Sequence, residues 1–595
     1  MRDLKCLLRY LGPYRKDMAI GALLVLLETG FELVIPVLMA DLIDIGVVNH
    51  DMTFILHKGM QMVICALVSL ITGLLYARFV ARASYGWGAQ IREAQFERVQ
   101  SYAFSNLDHF ETSSLITRMT TDTTVLQNAI NGGFRPMMRG PFMLILGVAL
   151  SFWMNPKLAL VFVLCAPILG IILFYIVRKI APMYYLLQKA VDRLNSTVQE
   201  GLIAIRTVKA FVRGEYEKEK FDTVNQTLMD TSEKTFHYAV LNTPAFQLTL
   251  YTAVILIMWF GGSMILDASL QVGELTGILS YVFQIMNSMM MISNVFLLLT
   301  RSLASAHRIR EVLDEEVVLT SPENGVTEIP DGSVSFEDVS FKYNPQAKEY
   351  ALSQVNLCIK PGQTVGILGG TGSAKSTLVQ LIPRLYDVAS GSVKVGGRDV
   401  REYDLKALRD AVGIVLQKNV LFSGTVRENL LWGCQQAGSR LEEASSEQAI
   451  WEACKLACAE EFLKRMPKGL DTDLGQGGVN LSGGQKQRLC IARTLLKHPK
   501  ILIFDDSTSA VDTATEGEIR SALAGLKDVT KIIIAQRITS VIGTDQIVIM
   551  DDGRIHAVGT HAQLLESDPI YQEIYASQMK GEDIRASSAT ECQEA

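Results

Sequence analysis

The sequence predicts an all-α membrane domain of six transmembrane helices followed by a cytosolic α/β domain. Three observations carry this reading. Apolar runs long enough to cross a bilayer, which takes about 20 residues, are confined to roughly the first half of the 595 positions. After Arg310 the apolar runs shorten to strand length and are punctuated by Pro330-Asp331-Gly332 and Pro361-Gly362-Gln363. One of those short runs, Thr364-Val365-Gly366-Ile367-Leu368, leads through a glycine-rich turn into a helix.

The bulk numbers agree with two domains. A chain of 595 residues exceeds one compact core. Hydrophobic residues make up 49%, high for a soluble protein, and the net charge of −6 argues against nucleic-acid binding. The nine cysteines have no framework spacing. Cys454 and Cys458 lie one helical turn apart, but no second pair is near to complete a four-ligand metal site.

Residues 1–16 are polar and basic and are expected to form an elbow helix ahead of the membrane domain, 17–310. The six spans are Met18–Val48, Met60–Tyr76, Pro136–Met154, Leu158–Val177, Ala239–Leu266 and Leu275–Thr300. The first is interrupted by Glu28, Glu32, Asp41 and Asp44. Two long connections carry the basic residues, among them Arg92, Arg98 and Arg118 in one and Arg193, Arg206 and Lys209 in the other. The basic side is expected to be cytoplasmic. Connections this long are expected to be helical extensions, turning near Ser113–Arg118 and Phe211–Glu215. A linker, 311–333, leads to a nucleotide-binding domain, 334–579, and residues 580–595 are too polar to bury a core.

Gly369-Gly370-Thr371-Gly372-Ser373-Ala374-Lys375-Ser376-Thr377 follows the apolar strand and opens a helix at Leu378-Val379. Backbone N–H groups and the helix dipole then point at phosphates, Lys375 reaches the terminal ones, and the Ser376 hydroxyl can ligate Mg²⁺. This makes the second domain an α/β P-loop ATPase domain. Ala374 stands where a glycine is expected; alanine keeps the N–H at a cost of about 1 kcal/mol if positive φ is required. A second apolar strand, Ile501–Phe504, ends in Asp505 and Asp506, and Asp505 can hold Mg²⁺ through water.

With Leu481-Ser482-Gly483-Gly484-Gln485 before that strand and Ser507–Asp512 after it, the ordering resembles the ATP-binding-cassette superfamily, specifically exporters of the half-transporter type. The resemblance covers nearly the whole chain. It implies that Tyr343 stacks on adenine, and that Gln417 senses the γ-phosphate and Mg²⁺. It also implies that Leu481–Gln485 closes on the ATP of a second chain, and that Ser509 and Asp512 belong to a loop crossing between the two sites. The family's usual catalytic glutamate is Asp506 here, and its usual switch histidine is Gln536. Asp473–Gly478 also departs from the Glu-Arg pattern that usually precedes the signature.

Aspartate is one methylene shorter than glutamate, leaving a general base about 1.5 Å short of the attacking water, where about 1 Å can cost a hundredfold. Gln536 can donate a hydrogen bond but cannot carry a proton or positive charge. Ala374, Asp506 and Gln536 fall in one composite site while the signature is intact. The expectation is therefore one half of an unequal pair: it retains ATP and Mg²⁺ at a poorly hydrolysing site and completes its partner's competent one. The partner's signature, expected to be altered, would close over Lys375.

Glu28 and Glu32, one turn apart within the first span, have two readings. They line a cavity for cationic or amphipathic cargo, or they bond to a neighbouring helix. The Met286, Met289, Met290 and Met291 surface reads first as lipid-facing filler and second as an adaptable site. The expected whole is a plasma-membrane exporter of hydrophobic or amphipathic compounds, in contact with lipid. The alternatives are a homodimer with two slow sites and an ATP-gated channel or regulatory subunit.

Overall fold

The computed structural model describes residues 2–434, 446–506 and 512–578. The chain divides into two compact units. One holds the chain through Ser101 together with Phe110–Glu315; the other holds Tyr102–His109 together with the described residues from Glu316 onward.

The first unit is helical, and among the described residues six helices are long and apolar enough to span a membrane. Their ends are set by local chemistry. The Asp51 carboxylate caps the N-terminus of Met52–Gln100 by accepting from Thr53 N and Phe54 N. Asn155 does the same for Pro156–Ile203, whose first position is the proline a helix start tolerates. A Gln271/Glu274 capping box opens Val272–Asp314. Phe162, Leu33 and Tyr281 are fully buried, and Tyr281 donates to the Leu33 carbonyl at 2.6 Å.

All four charges that interrupt the first span have partners. The Glu28 carboxylate pairs with Arg135, and Arg139 Nη2 donates to both oxygens of Glu32 at 2.8 and 2.6 Å. Asp41 pairs with Lys58 at 2.7 Å. The helix Arg15–Asp41 then loosens into one π-helical turn, Leu42–Val47. From it, Asp44 accepts the N–H groups of Gly273 and Glu274 at 2.5 and 2.9 Å, satisfying the start of the sixth span's helix. Gly273 is required there, because a Cβ would lie 2.3 Å from the Ala40 carbonyl oxygen. A second polar cluster joins Asp122, which is buried, to Arg308 Nε at 2.8 Å and Ser305 at 2.9 Å.

The connection between the second and third spans turns earlier than its sequence suggests. Met52–Gln100 ends at Ser101, and the short helices are Phe104–His109 and Thr112–Thr117. The reason is Asn106, whose Oδ1 accepts the Ala103 N–H at 3.1 Å and so nucleates the earlier turn. The fourth-to-fifth connection turns at Phe211–Arg213, between Ile205–Ala210 and Gly214–Val240.

Among the described residues the second unit contains ten strands. β1 (Val334–Phe341), β2 (Leu352–Ile359), β4 (Ser390–Val395) and β5 (Arg398–Asp399) form an antiparallel sheet in the order β2-β1-β4-β5. The other sheet runs β10-β9-β3-β8-β7-β6. Its members are β3 (Thr364–Gly369), β6 (Val412–Val415), β7 (Ile501–Asp505), β8 (Thr530–Ile534), β9 (Gln546–Asp551) and β10 (Arg554–Gly559). All its pairings are parallel except β10 with β9. β7 and β8 are buried along their whole length, which is why Ile501–Phe504 and Ile532–Ile534 read as unbroken apolar runs. Residues at the carboxyl ends of β3, β7 and β8 therefore emerge together, the place where such sheets bind ligands.

Candidate nucleotide site

β3 ends at Gly369, and the turn that follows uses left-handed backbone at Gly372 (φ 87°) and at Ala374 (φ 66°, ψ 26°) before the helix Lys375–Gln380. The expected steric cost of alanine at this position is thus incurred, about 1 kcal/mol relative to glycine. The Lys375 ammonium lies inside the loop, donating to the carbonyls of Gly369 (3.0 Å) and Gly370 (2.6 Å) and to Ser373 Oγ (3.2 Å). Burial lowers its pKa, while Asp506 and Asp505 oppose that shift. The third residue of the loop, Thr371, is exposed, and Thr377 Oγ1 lies 2.9 Å from the Tyr343 hydroxyl.

Ser376 Oγ donates to Asp505 Oδ1 at 2.6 Å, so the hydroxyl and carboxylate expected at Mg²⁺ converge. One carboxylate with a neutral hydroxyl suits a cation that retains several waters. Burial is the main cause raising the pKa of Asp505. Asp506 follows at φ 46°, a left-handed conformation rare for non-glycine residues, with its N–H donating to the Ile534 carbonyl. Its Oδ2 accepts from Gln536 Nε2 at 2.7 Å and from Gln417 Nε2 at 3.5 Å. Burial raises the pKa of Asp506 as well, and the Gln536 hydrogen bond works against it.

The structure therefore gathers Ala374, Lys375, Ser376, Gln417, Asp505, Asp506 and Gln536 into one site. Tyr343 stands beside it, half-exposed and packed edge-on against Phe341 at 4.9 Å. Ser482 caps the helix Gly483–Leu495 in a reciprocal box with Gln485, leaving the N–H groups of Gly483 and Gly484 at the start of a 13-residue helix. Before it, Gly475, Gly477 and Gly478 all take positive φ, so the segment lacking the Glu-Arg pattern is a tight glycine turn. Asp512 caps Thr513–Ala524 through Thr515 N at 2.9 Å. Ser509 lies outside the described residues. Among the described residues no group of three His, Cys, Asp or Glu could hold a metal, and burial pushes the Cys454 thiol up to about 12.

Sequence reasoning missed Arg135 and Arg139, the partners of Glu28 and Glu32. A signal was present: both pairs are separated by 107 residues, matching two i,i+4 spacings across two helices. With two arginines against two glutamates, this group carries no surplus negative charge for a cation.

Comparison with known proteins agrees with this geometry. Residues 18–289 match the ABC transporter transmembrane region, and residues 352–509 match the ABC transporter family. The chain is 38% identical over 571 residues to the uncharacterized ABC transporter ATP-binding protein YfiB of Bacillus subtilis, covering 96% of this chain and 98% of that protein. The chain belongs to the ABC transporter family. It is an exporter half-transporter, with one membrane domain and one ATP-binding domain, and a multi-pass membrane protein whose ATPase domain is cytoplasmic. It is also 30% identical over 568 residues to the ATP-dependent lipid A-core flippase of Desulfotalea psychrophila (95% and 97% coverage). Among solved structures, a bacterial Atm1-family ABC exporter with ATP bound superposes with a TM-score of 0.80 at 25% identity, covering 95% of this chain and 99% of that one.

Proposed function

We propose that this ABC exporter works as one half of an asymmetric heterodimer. Its own site holds ATP and hydrolyses it slowly, and its signature completes the competent site of a non-identical partner. The observation that carries this reading is the Gln536–Asp506 hydrogen bond of 2.7 Å. The carboxylate at the general-base position is both one methylene short and engaged by a neutral amide that can neither take up nor relay a proton. Ala374, held left-handed two residues from Ser376, is the third change in the same site.

Binding has what it needs. The Lys375 ammonium, the amides of the Gly369–Ser376 loop and the Tyr343 ring would hold the nucleotide, and Ser376, Gln417 and Asp505 would hold Mg²⁺, which neutralises phosphate charge when bound. Ser482 and Gly484, at a capped helix N-terminus, would meet the partner's γ-phosphate. Cargo of hydrophobic or amphipathic character, lipid or drug-like, fits a fold shared with a lipid A-core flippase. Purifying the chain alone and measuring ATP turnover tests the pairing. Robust turnover by the chain alone, abolished by Lys375→Ala, would sink the unequal pair. Uptake into vesicles against a gradient separates a pump from an ATP-gated channel.

A further inference from the structure

Residues 569–578 form a helix that follows the short helix His561–Ser567 of the cassette unit. Its start is held by named contacts. Asp568, which is buried, accepts the Tyr571 N–H at 2.7 Å and pairs with His556 of β10 at 3.0 Å. The Tyr571 hydroxyl lies 2.6 Å from His561 Nδ1. Tyr571, Ile574 and Tyr575 pack on the core at helical spacing, and the next position on that stripe is Gln578. A carboxamide on the core-facing side of a helix needs hydrogen-bond partners.

Both partners are backbone groups of the bend that follows β8. Gln578 Oε1 accepts the Ile538 N–H at 2.7 Å, and Gln578 Nε2 donates to the Gln536 carbonyl at 2.9 Å. Ile538 is buried and opens the short turn Ile538–Ser540, whose cap residue, Arg537, makes no side-chain cap bond. Gln578 Oε1 supplies that cap from another helix. Gln536 itself is exposed, so its place beside Asp506 rests on the backbone that carries it and not on burial. The clamp needs a side chain that donates and accepts at once. Ionised glutamate only accepts, and asparagine is one methylene short.

We propose that Gln578 is a positioning residue for nucleotide recognition: by clamping the bend on both sides of Arg537, it holds Gln536 where its amide meets the terminal phosphate of ATP. The Gln536 amide group carries two N–H donors; one is directed at Asp506, and the second suits a phosphate oxygen. ADP has no phosphate at that place. The clamp therefore sets this site's preference for ATP over ADP, while the Tyr343 ring and the Gly369–Ser376 amides serve both nucleotides. The proposal rests on the reading of Gln536 as the switch position.

The test is the affinity of the full-length chain in lipid nanodiscs for Mg·ADP and for the Mg complex of adenylyl imidodiphosphate, which keeps a terminal phosphate and resists hydrolysis. Displacement of a fluorescent nucleotide reads both. Gln578→Leu, which keeps the size of the side chain and loses both bonds, lowers the triphosphate-over-diphosphate preference about three- to tenfold and leaves ADP affinity within about twofold. Gln578→Asn, too short to span the bend, is a second variant with the same expectation. Gln536→Ala lowers the preference as well, and adding Gln578→Leu to it changes nothing further, because the clamp acts through Gln536. A native preference in both Gln578 variants overturns the proposal. So does an equal loss of affinity for the two nucleotides, or a Gln578→Leu effect that persists in the Gln536→Ala background. In those cases a loss of preference in Gln536→Ala shows that the clamp alone has failed. A native preference in Gln536→Ala removes the switch reading, and the clamp's role with it.

Discussion

Gln536 Nε2 donates to Asp506 Oδ2 at 2.7 Å, which places the proposed switch and general-base positions in direct contact. The amide fills a carboxylate oxygen that a proton acceptor needs free, and it has no second protonation state of its own. Restoring only one partner leaves the other mismatch in place. Asp506→Glu with Gln536→His should raise turnover at this site by about ten- to a hundredfold, and each single change by less than its share. Phosphate release with the assembled transporter measures this, and additive single effects would contradict the contact.

Ala374 sits at φ 66°, so its side chain is strained by the turn it occupies. Ala374→Gly should relieve about 1 kcal/mol, raising the cassette's melting temperature by about 2 °C. Tighter ATP binding should accompany it if the loop relaxes on the phosphates. Thermal scanning with and without Mg·ATP reads both.

Burial is the first cause holding Asp505 and Asp506 above the ordinary carboxyl value of 3.8. A carboxyl raised in this way stabilises the fold most when protonated, so that contribution is complete below 3.8 and is lost as pH rises through the raised value. Cation-dependent nucleotide binding has the opposite sign, because Mg²⁺ requires the carboxylate. Mg·ATP affinity should therefore fall as pH drops, with a midpoint above 3.8 that disappears in Asp505→Asn. Titration calorimetry across the acid range checks the direction.

The Glu28, Glu32, Arg135 and Arg139 group joins two membrane helices with no net charge. Glu28 is buried, so removing its compensating charge leaves an ion without a partner. Arg135→Ala, which removes the nearest partner of Glu28, should cost about 3 kcal/mol, whereas Glu28→Gln with Arg135→Gln should cost markedly less. Melting in detergent distinguishes them. A change of cargo profile without loss of stability would favour the reading in which the carboxylates serve cargo.

The six spans and the P-loop were legible because each follows from local pattern: long apolar runs in one case, and a strand, glycine turn and lysine in the other. The pairing of Asp505 with Ser376 followed from motif order. What pattern could not show was long-range. Arg139 lies inside the apolar stretch of the third span, and its purpose appears only when a second helix brings Glu32 within 2.6 Å. The turn at Asn106 was missed for a local reason, since a single asparagine side chain accepting the Ala103 N–H leaves no periodic signal. The left-handed backbone of Ala374 was posed as a condition by the sequence and answered by the φ value.

Ser482 caps its helix in a complete box with Gln485, and the proposed heterodimer uses that signature at the partner's site. Comparing ATP turnover of the assembled transporter carrying Ser482→Arg with that carrying Asp506→Ala measures the asymmetry directly. The account predicts that Ser482→Arg abolishes turnover at the partner's site while Asp506→Ala reduces it only modestly. Equal loss from the two changes would contradict it.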